Sequence, residues 1–276
     1  MTYLIHGATG AQGAPVHAAL ARSGASVVAA VRDPAAFDGD AVAVDFSSVG
    51  SLAAAYSGKE GVFIHLPIGS PDQQLAHAQA AVAAVDRARP QRVVVSTSGY
   101  STEGDGAVAA LIEGLKGTGV SFATVAPRLF LENLLLPFVV ASVRDQGVLL
   151  YPIRRDYAVS WSSHLDVADV IAGLLVRPDV TGTVGVGALP GLVGDDLAAA
   201  FARYFDRDVT FEAQDPDAFG TLLAPLIGQD GTDAVVASYH WRATQADETI
   251  ESDSSAQRRL GVRPRSVEQW LRDLGV

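Results

Sequence analysis

The 276-residue chain contains no cysteine, which excludes a disulfide framework and any thiolate metal site. No hydrophobic run approaches the ~20 residues that a membrane helix needs. Lysine is nearly absent, with Lys59 and Lys116 the only two. Acids outnumber bases, 31 to 20, giving a formal net charge of −11. Such a balance argues against a protein that grips nucleic-acid phosphates, which needs clustered cations. There is no His-Glu-x-x-His, no Gly-x-Ser-x-Gly and no Gly-Lys-Ser/Thr ending of a P-loop. Metal, serine-hydrolase and simple triphosphatase chemistry therefore have little support. The first apolar run begins at about Thr2, leaving no room for a signal peptide, so a cytoplasmic protein is expected.

What is present is a large apolar fraction, 49%, enough to fill a substantial core. It is arranged in short runs: TYLIH, ASVVAAVR, AVAVDF, GVFIHLP, RVVVSTS and SFATVAP. Helical patterns separate them, at Ala11–Ser23, Val49–Tyr56, Asp72–Arg89 and Ala107–Lys116. Strands that are apolar on both faces and alternate with helices predict a parallel sheet covered on two sides. After Pro127 the rhythm loosens. A helix interrupted at Pro137, a short strand at Tyr157–Ser163, a helix at His164–Pro178, a strand around Thr181–Gly187 and helices such as Asp195–Phe205 are expected. The tail from Gln257 reads as a closing amphipathic helix. The fold class is α/β: a Rossmann-type, doubly wound parallel sheet over residues 1–150, rejoined by elements near 158–187. A smaller substrate lobe takes mainly 188–276.

The stretch YLIHGATGAQG ends the first strand in Gly7, Gly10 and Gly13. Helix N-termini carry unpaired N–H groups and a partial positive charge, and a bare backbone lets a diphosphate reach them. Gly7 would make the turn, Gly10 face the phosphates and Gly13 let helix and strand close. Thr9, Ala11 and Gln12 offer further N–H groups. Glycine triplets also occur in ordinary turns; the position between a first strand and a first helix favours phosphate binding. At the end of the second strand, Arg32 suits a 2′-phosphate and favours NADP(H), with NAD(H) still open through Asp33. The plainer reading there is a solvated arginine beside a turn aspartate. Asp45 and Phe46 could bracket an adenine ring, or serve as a cap and a core residue.

These segments, with VVVSTSG, APRLFLENLL and HLDVADVIAGLL, resemble in order those of NmrA-like proteins, atypical members of the short-chain dehydrogenase/reductase superfamily. The resemblance implies a Rossmann fold, NADPH, and a substrate cleft between the sheet and the C-terminal lobe. It places His65, Leu66 and Pro67 along the adenosine ribose and phosphates. It puts Ser96, Thr97 and Ser98 by the nicotinamide ribose, and Pro127, Arg128, Leu129 and Phe130 beside the nicotinamide. Asn133 would border the cleft. The wider superfamily's Tyr-x-x-x-Lys pair is missing: none of the seven tyrosines has lysine four residues on, and Gly104 occupies that place after Tyr100.

Tyr100 is the candidate proton donor, with a packing role as its alternative. His164 could act as an acid but more often orients the helix behind it. Phe130, Asn133, Tyr151, Tyr157 and Trp161 could line a pocket for a flat small-molecule substrate; such aromatics also commonly pack a lobe. The reading is a reductase passing hydride from NADPH to a small conjugated acceptor. A non-catalytic NADP(H) sensor with a protein partner is the alternative, and an epimerase or isomerase a third. No nucleic-acid or membrane partner is expected.

Overall fold

The computed structural model describes residues 1–276. In chain order the first part contains β1 (Thr2–His6), α1 (Gly13–Arg22), β2 (Ser26–Val31), β3 (Ala41–Ala43), α2 (Val49–Tyr56) and β4 (Gly61–Ile64). It continues with α3 (Pro71–Ala88), β5 (Arg92–Ser96), α4 (Ala107–Thr118) and β6 (Ser121–Pro127). Then come α5 (Pro137–Gln146), β7 (Val148–Tyr151), α6 (His164–Val176), β8 (Gly182–Val186) and α7 (Gly194–Phe205). The chain ends with β9 (Thr210–Ala213), α8 (Pro216–Ile227), α9 (Gln229–Ala243), α10 (Ala256–Leu260) and α11 (Val267–Leu274). No helix is long and apolar enough to cross a membrane.

The chain divides into two compact units, the first being Met1–Pro127, His164–Val186 and Ser252–Arg263. Its seven strands run in the order β3-β2-β1-β4-β5-β6-β8, every neighbouring pair parallel. β4 and β5 are buried along their whole length, as strands covered on both faces must be. Leu4, Val62, Val93 and Val95 pack with Leu52, Ala81, Ala84 and Leu111 from the helices. Small alanines on α3 let the helix lie close to the sheet. Ser70 starts that helix with a capping box closed by Gln73, ahead of Pro71. At the opposite edge the buried Arg92 donates to the carbonyls of Leu174 and Val180 and to Ser121 Oγ, which satisfies its guanidinium without a carboxylate.

The second unit is Arg128–Ser163, Gly187–Glu251 and Pro264–Val276. It has a two-stranded parallel sheet, β7 with β9, in the register Val148↔Thr210 to Tyr151↔Ala213. β7 pairs with β9 and not with the seven-stranded sheet, so the first unit breaks at Pro127 and not near residue 150. The segment expected as a strand at Tyr157–Ser163 is extended but forms only single-residue bridges, Val159 to Leu192 and to Glu248, and Ser162 to Phe130. Its flanking partners are irregular segments that each offer one residue, so no ladder propagates.

Candidate dinucleotide site

The sheet order reverses between β1 and β4, since the chain winds outward from there in both directions. In open α/β sheets the crevice at the carboxyl ends of the strands at such a point receives the ligand. Three segments meet there: the loop His6–Gly13 after β1, His65–Pro67 after β4, and Ser96–Tyr100 after β5.

The first loop has no room for side chains. Gly7 has φ +62°, and a Cβ there would run into the His65 imidazole. A Cβ on the buried Gly13 would collide with the carbonyl oxygens of Gly7 and His6. Gly10 is different: it is exposed, its N–H donates to Gly7 O at 2.7 Å, and an added Cβ would meet only that oxygen, at 3.3 Å. The inner two glycines are thus demanded by the protein's own packing, while Gly10 leaves open backbone toward solvent. α1 begins with Gly13 and its preceding residue Gln12 offers no side-chain cap. Of the first three helix residues, Ala14 N–H is taken by Gly10 O at 3.0 Å and Pro15 has no N–H, which leaves the Gly13 amide facing the loop.

Three histidines surround this corner. His6 Nε2 lies 2.9 Å from Tyr56 Oη, and its ring meets Phe46 at 4.5 Å with the planes tilted by 51°; Phe46 also packs on His77. Burial, helped by the neighbouring His65, pushes the His6 pKa down to about 3. Burial also lowers His65, and hydrogen bonding to the backbone at Leu66 and His6 offsets part of that. His65 Nε2 is buried and has no partner in the protein. Phe46 is half-buried between the His6 and His77 imidazoles, with the exposed Asp45 beside it at that edge. Asp45 Oδ1 accepts from Ser47 N–H at 2.8 Å and Ser47 Oγ at 2.6 Å, which lowers its pKa.

At the end of β2, Arg32 is exposed and free of any ion pair or hydrogen bond, whereas Asp33 caps the turn Pro34–Ala36 by accepting from Ala35 N–H at 3.1 Å. Leu66 and Pro67 are half-buried, and Pro67 O accepts from Gln74 Nε2 at 3.2 Å. Ser96 and Thr97 are buried at the end of β5, and Ser98 follows with φ +52°. Tyr100 is 58% exposed, with its N–H bonded to Thr97 O. Lys116 is tied to Glu113 on the far turn of α4. His164 opens α6 and is engaged by a neighbouring group. Thr9 and Ala11 are exposed, and Pro127 closes β6.

In the second unit Phe130 and Asn133 are half-buried, and Asn133 hydrogen-bonds Tyr151. Tyr151 and Trp161, expected to line a substrate pocket, are instead wholly buried in an aromatic core. The Tyr151 ring meets Trp161 at 5.5 Å, Phe219 at 5.7 Å and Tyr239 at 5.6 Å, edge to face, and its hydroxyl bonds that of Tyr239. Tyr157 is buried as well, under the Arg154 guanidinium. Large rings in a lobe with a small sheet bury more area by packing together than by lining a groove.

Sequence reasoning took Gln12 for an N–H donor and missed its side chain. Its carboxamide reaches Ser96 and Ser98, 84 and 86 residues away, and no local signal marks such a partner.

A bare strand-to-helix corner at the reversal point of a seven-stranded parallel sheet defines a Rossmann-type dinucleotide-binding protein. Residues 7–118 match the model of an NAD(P)H-binding family, in keeping with the NmrA-like resemblance. No curated relative matches by sequence. Among solved structures, the triphenylmethane reductase of Citrobacter sp. is 15% identical, with all of both chains covered and a TM-score of 0.80. The NADPH-dependent quinone oxidoreductase of Escherichia coli, complexed with NADPH, is 17% identical over all of both chains, TM-score 0.73. A nucleoside-diphosphate-sugar epimerase of Staphylococcus aureus is 16% identical, covering 98% of this chain and 99% of that one, TM-score 0.79. At these identities the likeness is one of fold.

Proposed function

We propose that this protein is an NADPH-dependent reductase that passes hydride to a small conjugated acceptor such as a quinone or enone. The observation that carries the cofactor choice is the unpaired, exposed Arg32 beside an Asp33 that caps its own turn. A free guanidinium at the end of the second strand suits a 2′-phosphate; Asp33 keeps its second carboxylate oxygen, so NAD(H) is the alternative cofactor. The reductases of shared fold named above support the reaction class. Bound NADPH supplies the hydride. The chain's own work is to hold and orient: the bare loop up to the Gly13 amide receives the diphosphate, and Ser96–Ser98 line the strand edge beside it. With no Tyr-x-x-x-Lys pair, the exposed Tyr100 hydroxyl or solvent delivers the proton. That demand is modest for an electron-poor acceptor, where positioning dominates the rate.

The test is turnover. Purified protein mixed with NADPH and a panel of quinones and enones should consume the reduced nicotinamide absorbance. Saturable NADPH binding without oxidation across the panel would favour the second reading, a redox sensor that presents its nucleotide state to a protein partner. The missing Tyr-x-x-x-Lys pair is the feature that favours it. Arg32→Asp should weaken NADPH by about a hundredfold and NADH by under threefold, from the loss of a charge-assisted phosphate contact. An equal effect on both removes Arg32 from that role.

A further inference from the structure

The side chain of Gln12 forms a closed ring of hydrogen bonds with the loop after β5. Ser96 Oγ donates to Gln12 Oε1 at 2.9 Å, and Gln12 Nε2 donates to Ser98 Oγ at 3.0 Å. Ser96 Oγ also accepts from Ser98 N–H at 3.2 Å. That last bond favours the observed orientation of the carboxamide. A serine oxygen already accepting an N–H has its own proton free for Oε1, which turns the NH2 group toward Ser98. The bridge is long-range in topology too. Gln12 follows β1, the serines follow β5, and β4 lies between the two strands, so the carboxamide crosses the carboxyl end of β4.

What the ring holds is unusual. Ser98 has φ +52° and Gly99 φ +87°. The left-handed region is unfavourable for a residue other than glycine. Gly99 N–H is bonded to Thr97 Oγ1 at 3.3 Å and Tyr100 N–H to Thr97 O at 2.9 Å. The direction of the chain into Tyr100 is therefore set by this corner, and Gln12 holds its strained residue.

We propose that Gln12 is a positioning residue that ties the diphosphate loop to the Ser96–Tyr100 corner, so that the nicotinamide end of NADPH is held in register with its phosphates. The proposal rests on the dinucleotide reading above. Without the carboxamide, Ser98 loses a partner for its left-handed conformation and the corner relaxes, carrying Tyr100 with it. The diphosphate end, bound by backbone at Gly7–Gly13, is unaffected.

The test uses Gln12→Leu, similar in shape and unable to hydrogen-bond, in three measurements. Hydrogen exchange of the nucleotide-free protein should speed about tenfold at Gly99–Ser101, from loss of roughly one hydrogen bond. Affinity for NADPH should fall about tenfold, while affinity for 2′-phospho-ADP-ribose, which lacks the nicotinamide, falls less than twofold. With a quinone acceptor kcat should drop and KM hold. Adding Ser98→Gly to Gln12→Leu should recover most of the NADPH affinity, because glycine adopts the left-handed region freely. Should Gln12→Leu fail to fold, Ser98→Ala removes the same bond from the other side and should give the same affinity ratio. Equal losses for NADPH and the fragment, or unchanged exchange at the corner, overturn the proposal. Failure of the wild type to bind either nucleotide overturns the dinucleotide reading instead, and the exchange measurement then still decides the clasp.

Discussion

The two units differ in how they treat polar atoms. In the first, the sheet's carboxyl edge leaves groups uncommitted: His65 Nε2 and His6 Nδ1 are buried without partners, and Arg32 is exposed and unpaired. In the second the polar atoms at the centre are mixed: Trp161 Nε1 and Tyr157 Oη are buried without partners, while others satisfy one another. Tyr151 bonds both Tyr239 and Asn133, and the largely buried Arg242 pairs with Glu248 at 2.7 Å while its guanidinium lies over the Tyr239 ring. Buried polar groups without partners are costly, so a protein keeps them where something else will meet them. Of the two sets of unpartnered groups, the one in the first unit stands beside the bare glycine corner, and that is where the cofactor is proposed.

Breaking that comparison at its strongest point means filling the corner. Gly13→Val should destabilise the fold by about 3 kcal/mol, because its side chain has nowhere to go against two backbone carbonyls. It should also abolish NADPH binding. Gly10→Val should leave the denaturation midpoint within about 0.5 kcal/mol of wild type and still cut NADPH affinity at least tenfold. Equal stability losses in the two variants would mean the corner serves packing alone.

The next effect is acid lability of the first unit. His6, ordinarily near 6.5, is held at about 3 by burial, so the folded state resists its protonation while the unfolded state accepts the proton. Its stabilising share is therefore full above pH 6.5 and is lost as pH falls through the window toward 3. Between pH 7 and pH 5 that amounts to about 2 kcal/mol. Urea midpoints at the two pH values should differ accordingly, and His6→Gln should flatten the difference. A slope unchanged by His6→Gln would assign the lability elsewhere.

The smallest effect sharpens the other side. Tyr239→Phe removes one hydroxyl from the aromatic core and leaves Tyr151 with Asn133, costing about 1 kcal/mol. NADPH affinity should stay within twofold of wild type. A large loss of nucleotide binding would show that the aromatic core is not merely packing.

The seven-stranded fold was legible because its strands are buried on both faces, which leaves uninterrupted apolar runs such as Val93–Val95 and Val62–Ile64. The interruption at Pro137 was legible as well: a 3-10 turn, Leu131–Leu135, precedes α5 with Pro137 as its first residue. β7 and β9 were not, since four-residue strands paired across about sixty residues carry no period of their own. The same reason hid the extended but unladdered run around Val159.

By itself the sequence determined the bare corner: glycine at Gly7 and Gly13 is a property of backbone conformation and close approach, both local to the strand and helix they join. Only the tertiary structure decided which side chains attend it. Arg32 was left exposed without a partner, Tyr151 and Trp161 were withdrawn into a core, and Gln12 was given partners at a strand two places away. Those outcomes depend on contacts between segments far apart in the chain, where packing chooses among residues that composition alone makes equally eligible.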